Sequence, residues 1–216
     1  MISKTKKEKL AFPLYCITAE EYSLGRGNLA VAKEILAAGV KILQYREKEK
    51  SKREKFAECL AIGKMAAEAG AAFIVNDDID IALAVEADGV HLGQDDLPIA
   101  AARRLVGEEI IIGLSTHSQQ QAEEAVSKGT DYISIGPIYP TQTKKNACPA
   151  VGLAYLDYAV KNISIPFVAI GGIKLYNLRE VLAHGARCVA MVTEIVGAKD
   201  IRARIKAILS QIPSQL

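Results

Sequence analysis

Tryptophan is absent from this sequence, other aromatic residues are scarce, and the charges nearly cancel. Aromatic residues make up 6% of the 216 positions, and the formal net charge is +2. Binding to nucleic acid needs a basic field, and stacking on single-stranded bases needs aromatic side chains. Because neither is supplied, we expect no nucleic-acid partner. No apolar run reaches the roughly 18 residues of a membrane span, so we expect no membrane partner either.

Paired cysteines are missing as well. The four Cys residues form no CxxC pair, and none has a His at zinc-finger spacing. Unpaired thiols are typical of a reducing compartment, so we expect buried free cysteines and a cytoplasmic protein. The N-terminal segment is rich in Lys and lacks the apolar stretch of a secretion signal. We expect residues 1–11 to form a solvated arm and residues 12–216 to form one domain.

Eight short apolar runs alternate with longer helical patterns along the chain. The runs are apolar almost throughout, which is typical of parallel strands that are buried on both faces. Four glycines stand between a helical pattern and the next run, where a helix end needs a left-handed backbone. These glycines are Gly39, Gly70, Gly129 and Gly185. The runs cover residues 14–18, 40–45, 72–75, 89–92, 110–114, 132–135, 167–170 and 188–192.

This alternation favours a closed barrel. Eight strand–helix units in 216 residues fit a short version of the (β/α)8 barrel, which typically has about 250 residues. The alternative is an open doubly wound sheet, which has edge strands and usually a glycine-rich phosphate loop after its first strand. Residues 19–28 contain no such glycine fingerprint. We therefore predict an α/β fold, namely a single-domain (β/α)8 TIM barrel.

Polar side chains follow nearly every predicted strand. In such barrels the chemistry lies at the carboxyl ends of the strands, so these side chains are expected to meet there, on what we call the rim. Polarity scattered over the surface would not follow the strand ends in this way. In chain order the rim residues are Gln44, Tyr45, Arg46, Glu47, Lys48, Asn76, Asp77, His91, Asp96, Ser115, His117, Thr141, Gln142, Thr143, Lys144, Gly172, Val192 and Thr193.

The loops after the seventh and eighth strands indicate a phosphate site. Gly171 and Gly172 follow the seventh strand, and Val192 and Thr193 end the eighth. Barrels commonly bind phosphate here through backbone N–H groups and a short helix, and glycine lets the backbone approach the oxygens closely. The alternative interpretation of the glycine pair is an ordinary tight turn.

Basic side chains on the same rim suit a second phosphate-bearing group. Arg46, Lys48 and Lys144 could together neutralise a highly charged group such as pyrophosphate. Each of them alone could instead be a solvated surface charge. His91 and His117 are candidate acid–base groups, although His91 could bond inside the rim and His117 stands at a predicted helix start.

Two carboxylates on neighbouring strand ends suggest a metal. Asp77 and Asp96 beside phosphate-binding cations would suit Mg²⁺, which keeps substrate phosphates among its ligands. The residues leave another interpretation open, because Asp77 or Asp78 could cap the third helix of the barrel and Asp96 could cap the helix near Pro98.

Longer motifs along the chain resemble the thiamine phosphate synthase family. They are QYREK, HLGQDDLP, GLSTHS, GPIYPTQTK and VAIGGI, within a match that runs from LYCIT to VAMVTEI. The match covers nearly the whole chain beyond the N-terminal arm, and HLGQDDLP and GPIYPTQTK are long and specific. The resemblance implies a transferase of thiamine biosynthesis. It would join a hydroxymethylpyrimidine diphosphate to a hydroxyethylthiazole phosphate, with Mg²⁺, and release pyrophosphate.

The resemblance also implies which residues act. Asp77 and Asp96 would hold one Mg²⁺ per subunit, the substrates are small phosphorylated molecules, and a homo-oligomer is left open. Thr193 stands where many family members have Ser, and both residues keep a hydroxyl group. The implied catalytic residues are Arg46, Lys48, Ser115 and Lys144. The implied pyrimidine diphosphate contacts are Gln44, Tyr45, Arg46, Glu47, Lys48, Asn76, Ser115 and Lys144. The implied thiazole phosphate contacts are Thr141, Gln142, Thr143, Gly172, Val192 and Thr193.

Three other functions are less well matched by the residues. A thiazole tautomerase of the same superfamily carries a catalytic His directly after the Gly of the sixth strand, where this sequence has Pro137. A non-catalytic regulator that only binds a thiazole phosphate would have no use for the residues of a leaving-group site. Another phosphate-binding barrel enzyme, such as an isomerase, would need a positioned Glu or Lys base and would not account for the two aspartates.

Overall fold

The computed structural model describes residues 3–143 and 148–213, and its centre is a closed parallel barrel. The strands pair in chain order, and the last strand returns to pair with the first. The predicted α/β barrel is therefore confirmed. The strands are β1 (Leu14–Ile17), β2 (Ile42–Tyr45), β3 (Ala72–Asn76), β4 (Gly89–Leu92), β5 (Ile111–Thr116), β6 (Tyr132–Ile135), β7 (Phe167–Ile170) and β8 (Val189–Met191).

Helices follow the strands and pack on the outside of the barrel. Their starts and ends agree with local signals: Ser51 and Glu54 form the expected capping box, and the four glycines predicted to end helices all have positive φ. A short 3-10 helix spans Glu20–Tyr22. The α-helices are α1 (Lys4–Leu10), α2 (Asn28–Ala37), α3 (Lys52–Glu68), α4 (Ile79–Ala84), α5 (Ile99–Val106), α6 (Gln119–Ser127), α7 (Gly152–Asn162), α8 (Leu178–Ala183), α9 (Thr193–Val196) and α10 (Ile201–Leu209).

The hydrophobic core has two layers. Along β1, Leu14 and Cys16 belong to the layer between the strands and the helices, whereas Tyr15 and Ile17 belong to the layer inside the barrel. Successive side chains of a strand point to opposite faces, so both faces of these strands are buried. This is why the strands are apolar almost throughout. The inner layer also contains Ile42, Ile74, Ile111, Tyr132, Val168, Cys188 and Ala190.

The N-terminal segment is a helix that covers the amino-terminal end of the barrel. Lys6 of α1 is only 6% exposed, and its Nζ lies 3.0 Å from a carboxylate oxygen of Asp131, which precedes β6. Leu10 packs into the inner core layer. The expectation of a solvated arm is wrong, because Lys6 and Leu10 are buried. The local sequence could not show this burial, since the ion-pair partner of Lys6 is 125 residues away and only the folded barrel brings it near.

The cysteines are free, as expected, and three of them are buried. Burial raises the pKa of Cys59 and Cys188 to about 12, so these thiols stay protonated at neutral pH. Cys148 is half-buried. Among the described residues, no helix is long and apolar enough to cross a membrane.

Candidate active site

The alternation of β2 separates the two residues at its carboxyl end. Gln44 points into the barrel, where its side-chain Nε2 donates to the hydroxyl of Tyr15 at 2.9 Å. Tyr45 points outward, and its hydroxyl donates to Glu58 Oε2 of α3 at 2.7 Å. The structure therefore places Gln44 at the rim and keeps the Tyr45 side chain between the barrel and α3.

Glu47 organises the loop after β2. Its carboxylate accepts hydrogen bonds from the backbone N–H groups of Lys48 and Glu49, at 2.8 and 3.0 Å, and from Asn28 Nδ2 at 3.1 Å. Burial alone would raise the pKa of Glu47. These hydrogen bonds and the charge of Lys50 hold it below its ordinary value. The carboxylate is thus occupied by the protein itself and fixes the course of the loop.

Arg46 and Lys48, two of the three cations of this loop, differ in their partners. Lys48 forms an ion pair with Asp77, across from β2 to the end of β3. Arg46 is anchored through its backbone N–H, which donates to Thr18 Oγ1 at 3.0 Å. Its half-buried guanidinium has no ion-pair partner within residues 3–143 and 148–213. Arg46 therefore supplies a positive charge that no carboxylate of the described residues neutralises.

The two predicted metal-binding carboxylates lie against each other. Asp77 adopts a left-handed backbone with φ of +62°, and its N–H donates to the carbonyl of His91 at 2.9 Å. Burial raises the pKa of Asp77, the charge of Lys48 lowers it, and hydrogen-bond contact with Asp96 raises it again. Asp96 is held by the backbone N–H of Gly93, which donates to its Oδ2 at 2.7 Å.

The alternative roles of these aspartates as helix caps are not formed. Asp78 and Pro98 occupy the cap positions of α4 and α5, and neither makes a side-chain cap hydrogen bond. Asp78 instead pairs with Lys55 at 3.0 Å. The part of the chain that the structure describes contains no cluster of three or more potential metal-ligating side chains, so a cation here would take two protein carboxylates.

Asn76 and Ser115 lie at the carboxyl ends of β3 and β5, on either side of β4. β3 extends to Asn76, one residue beyond the predicted run, and β5 extends through Ser115 to Thr116. Ser115 is buried, and its Oγ lies 3.0 Å from His91 Nε2. The half-buried side-chain amide of Asn76 makes no hydrogen bond to the rest of the described chain.

The two histidines considered from sequence have different positions. His91 lies inside the barrel, between Ser115 and Tyr132. His117 donates from Nδ1 to the carbonyl of Gly136 at 2.6 Å, and its backbone N–H donates to Gln121 Oε1. His117 therefore ties the end of β5 to the end of β6.

The glycine pair after β7 is required by a close approach of two loops. The φ of Gly172 is +64°, and a Cβ there would lie 2.7 Å from both the Pro140 carbonyl and Tyr139 Cβ. The N–H of Tyr139 donates to the carbonyl of Gly171 at 3.0 Å. The loop after β6 is thereby drawn onto the glycine pair. It carries Thr141 and Thr143, whose hydroxyls are 3.1 Å apart, and Gln142, whose carbonyl accepts from Tyr22.

Lys174 is a rim cation that the sequence analysis missed. Its Nζ donates to Thr193 Oγ1 at 2.7 Å and lies 3.6 Å from Glu194. Val192 directly precedes α9, and Thr193 is its first residue. A Lys shortly after the glycine pair was the available signal. Lys144, predicted to contact pyrophosphate, lies outside the described residues.

The comparisons with known proteins bear on this rim. Residues 14–195 match the family model described as thiamine monophosphate synthase. The chain belongs to the thiamine monophosphate synthase family. It is 60% identical over 195 residues to the thiamine-phosphate synthase of Pelotomaculum thermopropionicum, covering 90% of this chain and 89% of that one. It is 54% identical over 208 residues to that of Dictyoglomus turgidum, covering 94% and 93%.

Solved structures agree with the family. Thiamine phosphate pyrophosphorylase from Pyrococcus furiosus superposes with a TM-score of 0.84 at 33% identity, over 95% of this chain and 100% of that one. A 3-hexulose-6-phosphate synthase superposes with a TM-score of 0.67 at 19% identity, over 92% of this chain and 100% of that one, which shows a shared fold alone. The family resemblance and the transferase class expected from the sequence are confirmed.

Proposed function

We propose that this chain joins a hydroxymethylpyrimidine diphosphate to a hydroxyethylthiazole phosphate, giving thiamine phosphate and pyrophosphate. Family membership supports the reaction, and one arrangement on the rim carries its assignment to these residues. Asp77 and Asp96 are in contact, Lys48 pairs with Asp77, and Arg46, in the same loop as Lys48, has no ion-pair partner among the described residues. Two carboxylates beside cations suit a diphosphate together with a divalent cation.

The loop after β2 and the ends of β3 to β5 would bind the pyrimidine diphosphate. The side-chain amide of Asn76, which bonds to no other described residue, suits a hydrogen bond to the aminopyrimidine ring, and Gln44 lies at the neighbouring strand end. Arg46, Lys48 and Ser115 would face the diphosphate, with Lys144 as a further cation. Tyr45 and Glu47 would contribute through the backbone of the loop, because their side chains are bonded elsewhere.

Asp77 and Asp96 fit Mg²⁺ because both offer hard carboxylate oxygens and lie together on the rim. They would hold one ion per subunit. When bound, such an ion supplies charge neutralisation at the diphosphate oxygens.

The second half of the rim would bind the thiazole phosphate. The proposed contacts are the backbone at Gly172, the N–H groups at Val192 and Thr193, and the hydroxyls of Thr141 and Thr143, with Gln142 between the two threonines. Lys174 adds a cation beside Thr193. The glycine pair suits a close approach of phosphate oxygens, since it offers backbone without a Cβ.

The reaction is a substitution in which the C–O bond to the diphosphate breaks and the thiazole nitrogen forms the new C–N bond. An electron-rich aminopyrimidine stabilises the positive charge left on its methylene carbon. The step therefore needs no strong base and no covalent nucleophile. What remains for the protein is to stabilise the leaving diphosphate and to position the thiazole.

We propose further that the enzyme works in the cytoplasm, because its cysteines are free thiols. Its partners would be small phosphorylated molecules. A homo-oligomer stays a prediction, and the sedimentation coefficient of the purified protein tests it.

The purified protein should form thiamine phosphate when it is mixed with both substrates and Mg²⁺. Matched mixtures that lack either substrate, or that contain a chelator, should form none. Absence of product in the complete mixture contradicts the proposal. Isomerisation of a thiazole phosphate without the pyrimidine substrate would indicate the tautomerase instead.

A further inference from the structure

A chain of polar side chains crosses the interior of the barrel from β2 to β5. Gln44 Nε2 donates to the Tyr15 hydroxyl at 2.9 Å, and the hydroxyls of Tyr15 and Tyr132 are 2.8 Å apart. Tyr132 in turn lies 2.8 Å from His91 Nδ1, and His91 Nε2 lies 3.0 Å from Ser115 Oγ. The chain therefore joins two residues of the proposed pyrimidine diphosphate site through three residues that do not reach the rim.

The fold makes room for this chain. All five side chains are at most 7% exposed. A Cβ on Gly113 would collide with the Tyr132 ring and lie 2.5 Å from His91 Nδ1, so the glycine leaves the space in which these two groups meet. Burial raises the pKa of Tyr15 and Tyr132, and both phenols therefore keep their protons to donate.

The hydrogen bonds can be ordered by counting donors and acceptors. The side-chain nitrogen of Gln44 only donates, so the Tyr15 oxygen accepts from it. Within the described residues, Tyr132 is then the acceptor in reach of the Tyr15 proton. The Tyr132 hydroxyl donates a hydrogen bond to His91 Nδ1, which must therefore be the nitrogen without a proton. His91 Nε2 carries the ring proton and donates it to Ser115 Oγ. The reverse order would leave the buried proton of Tyr15 without an acceptor, which is costly.

We infer that Tyr15, Tyr132 and His91 are positioning residues that present the Ser115 hydroxyl to the substrate as a hydrogen-bond donor. Because Ser115 Oγ accepts a hydrogen bond from His91, the hydroxyl proton of Ser115 stays available to a group outside this row of hydrogen bonds, on the rim side. A diphosphate oxygen only accepts hydrogen bonds, so a serine held as a donor stabilises it. This inference rests on the proposed function for the identity of the acceptor.

The tautomer of His91 tests the order directly. The chain has only three histidines, so their ring nitrogens can be assigned by ¹⁵N NMR with His91→Gln as the reference. At alkaline pH, where imidazole is neutral, His91 should carry its proton on Nε2 and have a pyridine-like Nδ1. A proton on Nδ1 overturns the inference, whatever the activity of the enzyme.

Kinetics test the consequence for the substrate. Tyr132→Phe should raise the KM for the pyrimidine diphosphate about tenfold and leave the KM for the thiazole phosphate unchanged. Tyr15→Phe is a second variant and should act in the same direction, because Tyr132 then loses the donor that directs its own proton to His91. Tyr155→Phe is the matched control, since this buried tyrosine donates to Thr116 Oγ1 at 2.7 Å and takes no part in the hydrogen bonds between Gln44 and Ser115. Its kinetics should equal those of the wild type.

A double variant separates positioning from general damage to the barrel. If Tyr132 acts on Ser115 through His91, Tyr132→Phe should cause a smaller loss in a Ser115→Ala background than in the wild type. Equal losses in both backgrounds overturn the inference while the proposed function stands. If the wild type makes no thiamine phosphate, the proposed function is wrong, and so is the identification of a diphosphate oxygen as the acceptor of the Ser115 hydrogen bond. The NMR measurement still decides the order of the hydrogen bonds.

Discussion

At the scale of single residues, neighbours in the loop after β2 have different surroundings. The guanidinium of Arg46 has no ion-pair partner in the part of the chain that the structure describes. Glu47 accepts from backbone N–H groups, and Lys48 pairs with Asp77. A change at each position therefore tests a different contact. The assigned roles at the rim are predictions, and single substitutions separate them.

Replacing Arg46 with Ala should raise the KM for the pyrimidine diphosphate by about tenfold or more. A hydrogen bond to a charged group contributes about 1.5–3 kcal/mol, which corresponds to such a factor. The free energy of unfolding should hardly change, because the guanidinium has no ion-pair partner in the described chain. Arg53→Ala on the exposed face of α3 is the control. Equal KM values for Arg46→Ala and the wild type would show that this cation does not meet the substrate.

Replacing Asp96 with Asn should raise the Mg²⁺ concentration needed for half-maximal activity by at least about tenfold. Even outer-shell partners of a metal have effects of this size, and a carboxylate ligand is closer. Asp95→Asn, at the neighbouring exposed position, should keep the wild-type requirement. The measurement is a titration of activity with Mg²⁺. An unaltered requirement in Asp96→Asn would remove this residue from the metal site.

At the scale of elements, α1 packs against the amino-terminal end of the barrel. Its Lys6 pairs with Asp131, which also accepts from Arg103 at 2.6 Å, and Leu10 enters the inner layer. These contacts lie at the end of the barrel opposite to the rim. The helix should therefore matter for stability and not for the chemistry.

Replacing Lys6 with Met should lower the free energy of unfolding by about 3 kcal/mol. Removing one partner of a buried ion pair leaves the other charge in a place from which water is excluded, and Arg103 compensates for only part of this loss. Lys7→Met, on the exposed face of the same helix, should cost much less. Chemical denaturation measures both variants. An Lys6→Met protein as stable as Lys7→Met would show that the buried pair contributes little.

At the scale of the whole molecule, barrel closure brings two half-sites onto one rim. The ends of β2 to β5 hold all the described residues proposed for the pyrimidine diphosphate, and the ends of β6 to β8 hold those proposed for the thiazole phosphate. Lys144, in the loop after β6, is the one residue proposed for the diphosphate from the second group of strands. Under this proposal, the two substrates would be recognised mainly by different strands of one barrel. Their KM values should respond to separate substitutions.

Replacing Gly172 with Ala should raise the KM for the thiazole phosphate about tenfold and that for the pyrimidine diphosphate by much less, since only Lys144 of its proposed contacts lies in the same loop. The new Cβ would press on Tyr139 and Pro140 and displace the loop after β6. Gly107→Ala is the control, because Gly107 also has positive φ, +69°, but has open space around it. Steady-state kinetics with each substrate varied in turn decide the outcome. An equal rise in both KM values would contradict two separate half-sites.

Much of this protein follows from local sequence. Strand runs, helix-ending glycines and the capping box of Ser51 with Glu54 depend on residues a few positions apart, so the barrel and its rim were predictable. The family motifs likewise lie in continuous stretches. Because parallel strands of a barrel end at one rim, the order of elements already brought Asp77 toward Asp96.

Tertiary structure decided which contacts each of these side chains makes. It turned Tyr45 outward onto α3 and placed Lys174 beside Thr193. It buried Lys6 against Asp131, 125 residues away, and joined Gln44 to Ser115 through the interior. These pairings depend on which face of a strand turns inward and on which strands the closed barrel brings together. In strands that are apolar on both faces, local periodicity indicates neither the inward face nor the neighbouring strand.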